Sequence, residues 1–446
     1  MQNEEVVFDG DSFFQDRNDI QYLIIPDNRE EGNNRFEDGA REEGVSRIQR
    51  TAIIIFSIAN IFVGVVYSVT FSYYPTSAID NHNIKNETIG LILGVYELAL
   101  VIGSAFFGKF LGHIGVRFVF ISSLLVLGLT SILFGFVDDI KSRAAYTSIC
   151  IITRTIAGLA GSGVNIASLA FTATVFPQTV TKMMGVLELC SGLGIMLGPV
   201  IGGALHNLGE HFFPKDAFLL PLAVCGALLI AIGVSSVFLL PSPPAERGME
   251  LGALRIALIP SVMVVGLVII MGGGAISYIN ATLANELEKV YGLKNSLIRS
   301  LVFVVGPLMY AMTAPIWGNL ADKHPRSSAF VLILGYLLAG FALWLTGPAP
   351  LFNIKHMLWL LICSQIPLGL GIGTVVTTFK LITVAAIERG HPEGFGTSAV
   401  VSGLFGSYFS MGAFLGPWLG GKLKDHYGFG WASFHFGCAI MVSVSY

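Results

Sequence analysis

Three charged side chains lie inside long apolar stretches of this sequence, namely Glu97, Arg154 and Glu188. A charge in such a position is costly, so it usually serves a function. In a medium of low dielectric constant a carboxyl group can exchange a proton near neutral pH, and a cation can compete for the same carboxylate. The three residues therefore predict coupling to protons or to a cationic substrate. The alternative is a permanent ion pair, in which Arg154 joins Glu97 or Glu188 and takes no part in exchange.

Small residues accompany each of these charges at helical spacing. The residues on the face of Glu97 are Gly90, Gly94, Val101, Ser104 and Gly108, and those on the face of Arg154 are Gly158, Gly161, Asn165, Ser168 and Thr172. Glu188 shares its face with Gly185 and Gly192. Because close packing between helices in lipid requires small side chains, we predict that these faces meet other helices.

The stretches that carry these residues are predicted transmembrane helices. The chain has 446 residues, of which 53% are hydrophobic and only 12% charged, and its mean hydropathy is +0.71. A soluble domain carries about 25% charged residues. Twelve apolar runs are near the length that spans a bilayer, at 51–74, 88–108, 117–137, 146–171, 184–205, 217–240, 256–278, 297–317, 328–346, 357–379, 398–420 and 430–446. We therefore predict an all-α polytopic membrane protein with twelve transmembrane helices, the last of them short or truncated.

Charge and proline content divide the chain further. Residues 1–50 hold thirteen acidic residues and six arginines and predict a disordered cytosolic tail. Residues 51–240 and 256–446 each contain six runs and are predicted six-helix bundles, joined by a cytosolic linker at 241–255 that is rich in proline at its start. Short patterns between Asp19 and Ile25 resemble sorting signals and predict adaptors as partners, with an inert tail as the alternative.

A glycine-proline pattern occurs twice, at corresponding places in the two predicted bundles. It reads G-x8-G-x3-G-P-x2-G-G, and its copies are Gly185, Gly194, Gly198, Pro199, Gly202 and Gly203, then Gly403, Gly412, Gly416, Pro417, Gly420 and Gly421. Glycine permits close helix contact and proline permits a bend. We expect helices that bend at a seam between the halves, and a packing motif without a gating role is the alternative.

A second pattern is duplicated in the loops after the second and eighth runs. Gly108, Gly115 and Arg117 belong to the first copy, and Gly318, Leu320, Ala321, Asp322 and Lys323 to the second. This pattern resembles the G-x-L-A-D-R-x-G-R-K loop motif of the major facilitator superfamily. The glycine-proline pattern in both halves, together with Glu97 and Glu188 in their local sequence, resembles the vesicular amine transporter family and most of all its polyamine branch.

The resemblance implies a major facilitator fold with a central site between two bundles. It also implies that the acid and base of the loop join the halves in one gating state, and only Asp322 and Lys323 retain that pair. Monoamine members of the family carry an aspartate in the first helix, which has no acid here between 51 and 74. An acid of the polyamine branch in the seventh helix is replaced by Asn280.

Four tyrosines and a glycosylation sequon are further candidate features. Tyr67, Tyr278, Tyr310 and Tyr408 are candidates for cation–π walls of a cavity, with ordinary helix packing as the alternative. A glycosylation sequon begins at Asn86, which fits an amino terminus in the cytosol, although its closeness to the membrane argues against glycosylation itself.

These features predict a proton-coupled antiporter that moves an organic cation, polyamine or a related amine, across a vesicular or endolysosomal membrane. Its partners would be the cation, protons and the lipid bilayer, with no nucleic acid. The alternatives are an exporter of neutral drugs or organic anions, with Arg154 binding the substrate, and a non-transporting receptor or scaffold of the same fold. Since we find no nucleotide-binding loop, nucleophile triad or metal-ligand spacing, we expect neither an enzyme nor a bound cofactor or metal. The five cysteines lie in apolar runs and predict packing rather than disulfides.

Overall fold

Helices make up nearly all of the computed structural model, which describes residues 35–175, 180–240, 252–324, 327–349, 351, 357–391 and 395–445. The helices of the first half are α1 (Arg35–Ser68), α2 (Tyr74–Asp80), α3 (Asn86–Ile114), α4 (Val116–Gly135), α5 (Arg143–Val175), α6 (Val180–Phe212) and α7 (Leu219–Leu239). Those of the second half are α8 (Gly252–Ala257), α9 (Pro260–Lys289), α10 (Ser296–Lys323), α11 (Ser328–Thr346), α12 (Leu358–Gly373), α13 (Thr377–Glu388) and α14 (Phe395–Ser443).

Within the described part of the chain, ten helical segments are long and apolar enough to cross a bilayer, and they match the first ten predicted runs in order. The last two runs lie together in α14, whose helical path is interrupted at Gly428. The φ of Gly428 is 84°, a conformation that glycine adopts readily and other residues rarely do. The prediction of an all-α polytopic membrane protein is confirmed.

Several helix boundaries in the structure differ from the predicted ones. The first predicted run extends to residue 74, but α1 ends at Ser68 and α2 begins at Tyr74, with Pro75 in its first turn, where proline is tolerated. At its other end α1 begins at Arg35, within the segment that we predicted as a tail. Residues 1–34, which include the sorting patterns, lie outside the described residues, as does most of the predicted linker.

Several pairs of helices join the halves, and two of them make the most extensive contacts. The long helix α3 packs against α14, and α6 packs against α10. Within the halves, α1 packs on α6 and α9 packs on α14, so the pairing in one half repeats that in the other. The internal repeat seen in the sequence is therefore also a repeat of helix contacts.

The halves meet at one end of the molecule, which we call the closed end and define by the starts of α3 and α10. There the Asp425 carboxylate accepts hydrogen bonds from the backbone amide of Asn86 at 3.2 Å and from that of Glu87 at 2.9 Å. The Ser296 hydroxyl donates to the Gly203 carbonyl at 3.0 Å, linking α10 to α6. Asp425 thus caps the first turn of a helix in the other half, where backbone amides lack partners within the helix.

We call the opposite end, where α3 and α10 finish, the open end. A Cβ atom added at Gly108, Gly115, Gly185, Gly318 or Gly403 would meet no heavy atom of the described residues within 4 Å. The halves are therefore in close contact at the closed end and lack such contact at these positions of the open end.

Candidate functional site

Glu97 lies on α3 where helices of both halves meet. Its side chain is buried, and the hydroxyls of Tyr67 on α1 and Ser410 on α14 lie close to its carboxylate. The Tyr67 ring in turn lies 5.0 Å from the ring of Tyr96. One carboxylate thus connects two helices of the first half with a helix of the second.

Arg154 lies on α5 with Gly158 and Gly161 facing the same way. A Cβ atom at Gly158 would lie 2.2 Å from the Tyr96 carbonyl oxygen, so this face of α5 packs directly on α3. The Arg154 guanidinium donates to the Thr70 hydroxyl at 2.5 Å and lies 4.6 Å from the centre of the Phe134 ring. Among the described residues, no carboxylate lies within 4.0 Å of it, so the ion pair with Glu97 or Glu188 is not formed in this structure.

Glu188 has a different environment from Glu97. Its side chain is exposed, as are Gly185 and Gly192 on the same face of α6. The carboxylate lies near Tyr310 on α10, and α6 packs on α10, so Glu188 lies on the side of α6 that faces the other half. Glu188 is therefore accessible between the halves, whereas Glu97 is enclosed.

The glycine-proline pattern joins helices within each half. Cβ atoms added at Gly194, Gly198 and Gly202 would each lie 2.0 Å from an oxygen atom in α1 or in the residue just after it. These atoms are, in order, the Ile61 carbonyl, the Ser68 hydroxyl and the Val69 carbonyl oxygens. In the other half, Cβ atoms at Gly412 and Gly416 would lie 2.1 and 2.0 Å from carbonyl oxygens of α9. The expected seam between the halves is thus wrong for these glycines, since helix periodicity identifies a close contact but not its partner.

Later residues of the same pattern do contact the other half. A Cβ atom at Gly203 would lie 2.6 Å from the Ser296 carbonyl oxygen, and one at Gly421 would lie 2.2 Å from that of Asn86. The two prolines also lie at contacts: Pro199 accepts a hydrogen bond from the Ser72 hydroxyl at 3.1 Å, and the Pro417 carbonyl faces Gly90.

The loop pattern lies at the open end. Gly115 ends α3 with a φ of 96° and begins the turn into α4, and Arg117 donates to the Val237 carbonyl on α7. Lys323 is exposed at the end of α10, and the side chain of Asp322 lies outside the described residues. A charge pair between the halves at this loop stays a prediction.

The four candidate tyrosines separate into two groups. Tyr67 and Tyr310 lie beside Glu97 and Glu188, as described above. Tyr278 is fully buried inside the second half, where its hydroxyl bonds to that of Ser433 at 2.9 Å, so its predicted place in a cavity is wrong. Tyr408 is half-buried and packs against α9, where a Cβ atom at Gly266 would lie 2.7 Å from its ring.

A buried ion pair near the closed end was not anticipated from the sequence. Lys424 on α14 lies 3.3 Å from Glu286 on α9 and also donates to the Thr282 carbonyl at 2.9 Å. Both charged residues are near the ends of apolar runs, so they resemble ordinary charges at a membrane surface. Only their low exposure, 7% and 11% of the side chain, distinguishes them.

Comparison with known proteins decides the family. The model described as Major Facilitator Superfamily matches residues 56–417. The chain belongs to this superfamily. It is 32% identical over 399 residues to the rat protein named MFS-type transporter SLC18B1, covering 89% of this chain and 86% of the relative. The human protein of the same name is 31% identical over 400 residues, covering 90% and 86%.

More distant proteins share the fold. Multidrug resistance protein 2 of Bacillus subtilis is 22% identical over 86% of this chain and 93% of that protein. Among solved structures, a bacterial homolog of the human lysosomal transporter Spinster, in an inward-facing and occupied conformation, superposes with a TM-score of 0.69. It is 14% identical and the match covers 89% of this chain and 94% of that one. The predicted family and fold are confirmed, and the protein is a multi-pass membrane transporter rather than an enzyme.

Proposed function

We propose that this transporter is a proton-coupled antiporter that moves an organic cation, a polyamine or a related amine, across a vesicular or endolysosomal membrane. The observation that carries the proposal is the place of Glu97, a buried carboxylate that faces hydroxyls of both halves. The similarity to SLC18B1 proteins over most of the chain supports an amine-type substrate.

The contact between Glu97 and Ser410 provides a way to couple occupancy to movement. Ser410 belongs to α14, so this contact joins the halves. A proton on the Glu97 carboxyl weakens it as an acceptor, and a cation next to the carboxylate competes for the same oxygen atoms. Either change loosens one contact between the halves, and only one of the two ligands can occupy the carboxylate at a time.

Glu188 and Tyr310 form the accessible part of the same proposed route. A carboxylate and a nearby aromatic ring on the other half provide the two kinds of group that attract an ammonium ion. We assign first capture of the cation to Glu188, and exchange against protons to Glu97. Arg154 contributes a fixed positive charge near Tyr96, next to Glu97 in the chain.

In this proposal the closed end faces the lumen and the open end faces the cytosol, together with the amino terminus. Opening of the closed end requires loss of the contacts of Asp425 with α3 and of Ser296 with α6. Closure of the open end would bring the loops after α3 and α10 together. The N-terminal segment would bind sorting adaptors.

Uptake of labelled spermidine into proteoliposomes with an imposed inside-acid gradient tests the proposal. We expect gradient-dependent uptake in the wild type and its loss in Glu97→Gln and in Glu188→Gln. Glu210→Gln is the matched control, because Glu210 lies on the same helix as Glu188 but near its end. Among the described residues, its one ion-pair contact is to His206 at 3.8 Å. Uptake that persists in both site variants would contradict the assigned carboxylates.

An exporter of neutral drugs or organic anions is the second candidate. It is favoured by the lack of a carboxylate partner within 4.0 Å of Arg154 among the described residues and by the similarity to a multidrug resistance protein. Failure of spermidine uptake by folded protein, with flux of a drug or an anion that is lost in Arg154→Gln, would establish this alternative. Absence of every flux would favour a receptor or scaffold.

A further inference from the structure

Hydrogen-bond donors without partners are concentrated around Arg154. Among the described residues, eight buried side-chain nitrogen or oxygen atoms have no hydrogen-bond partner, and four of them are Arg154 Nε and the hydroxyls of Tyr73, Tyr74 and Tyr146. The tyrosines are at most 1% exposed and Arg154 is 6% exposed. Buried polar groups without partners are uncommon in folded proteins, so a group of them indicates a bound species.

These donors converge because of their spacing. Tyr146 and Arg154 lie eight residues apart on α5 with Cys150 midway, so all three share one face of the helix. Tyr74 reaches this face from α2, and its hydroxyl lies close to that of Tyr146 and to the Cys150 thiol. The guanidinium lies near Tyr74 and Cys150, so these donors form one cluster.

The charge of Arg154 is not balanced by this cluster. The nearest packed groups are the Thr70 hydroxyl, the Phe134 ring and Tyr96. Among the described residues, neither Glu97 nor Asp138 lies within 4.0 Å of the guanidinium, and Asp138 is bound to His82 at 3.0 Å and to the Ser77 hydroxyl at 3.1 Å. A buried guanidinium without a counter-charge is unfavourable, and an arginine can only donate hydrogen bonds.

We propose that Arg154, Tyr74 and Tyr146 bind a small monovalent inorganic anion such as chloride. An anion accepts hydrogen bonds from all three side chains and balances the charge of the guanidinium. Aromatic rings surround the two hydroxyl donors: the ring centre of Tyr74 lies 5.4 Å from that of Phe134, and that of Tyr146 lies 4.0 Å from that of His82. The anion is a resident ligand of the first half and not the transported substrate.

Thermal unfolding of the purified full chain in detergent tests this site without any transport assay. Sodium chloride and sodium bromide are titrated against sodium gluconate at constant ionic strength, since gluconate is a large organic anion and not a halide. We expect the midpoint of unfolding to rise with chloride or bromide and to saturate. In Tyr146→Phe the half-saturating chloride concentration should rise about tenfold, because a hydrogen bond to an anion is lost.

Two further variants make the result specific. Arg154→Gln should abolish the anion dependence. Tyr336→Phe is the matched control, since Tyr336 is equally buried but donates a hydrogen bond to the Val268 carbonyl at 3.0 Å in the second half. Loss of this hydroxyl should lower the midpoint of unfolding and leave its dependence on the anion unchanged. The proposal would be overturned by equal midpoints of unfolding in chloride and gluconate, or by an anion effect that Tyr146→Phe does not change. Water would then be the species that hydrogen-bonds to the cluster. Since no amine is used, neither outcome depends on the proposed substrate.

Discussion

Gly90 on α3 lies so close to α14 that a single methyl group should shift the balance between conformations. A Cβ atom at this position would lie 1.9 Å from the Pro417 carbonyl oxygen, whereas ordinary contact begins at 3.4 Å. Gly90→Ala therefore requires the two helices to separate by about 1.5 Å at the closed end. Since α3 and α14 belong to different halves, the substitution opposes closure there and leaves each half intact.

The size of the effect follows from the usual cost of overpacking. An added methyl group in a tightly packed contact costs about 1–3 kcal/mol. If that cost applies only to the state with the closed end shut, the equilibrium shifts about 5- to 150-fold towards a state with this end open. Uptake should then slow, because the cycle must pass through the disfavoured state.

Spin labels at Lys85 and Lys294 measure this shift, since both residues are exposed near the closed end and belong to different halves. The labels are placed in a background without the exposed Cys363. We expect double electron–electron resonance to show a longer distance between the two labels in Gly90→Ala than in the wild type.

Gly194→Ala provides the comparison, because its Cβ atom would meet the Ile61 carbonyl oxygen at 2.0 Å within one half. It should reduce thermal stability without changing the distances. Unchanged distances and normal uptake in Gly90→Ala would show that the close contact of α3 and α14 does not restrict the conformation.

Two further predictions concern the closed end. Lys424→Ala should destabilise the protein by about 3–5 kcal/mol, since it leaves Glu286 without its cation in a buried position, and thermal unfolding of the purified protein measures this loss. Adding Glu286→Gln to this variant should recover part of the stability. If no stability is recovered, the buried ion pair is not what stabilises this region. Asn86 should stay unglycosylated, because its side-chain amide donates a hydrogen bond to Asp425 at 2.6 Å between the halves. Gel mobility before and after glycosidase treatment tests this. A mobility change in the wild type that does not occur in Asn86→Gln would refute the prediction.

The candidate site was partly predictable. Glu97 and Arg154 stand out in the sequence because charges are rare in apolar runs, and the small residues beside them indicate helix contact. The hydroxyl of Ser410 beside Glu97 was not predictable, since Ser410 is one of many serines in apolar helices and lies more than 300 residues away in the chain. Tyr278 shows the opposite error, because an aromatic residue in an apolar helix packs in a bundle as readily as in a cleft.

The sequence by itself determined the helices, the internal repeat and the family. Hydropathy depends on local composition, and the glycine spacing depends on helix geometry alone, so both can be read along the chain. Only the tertiary structure decided which helix each small face contacts, that Arg154 has no carboxylate neighbour among the described residues, and which end of the molecule is closed. In a membrane the lipid and the helix interior are both apolar, so composition distinguishes poorly between a face that meets lipid and a face that meets protein. The partners are set by contacts between distant residues, and those exist only once the halves have packed.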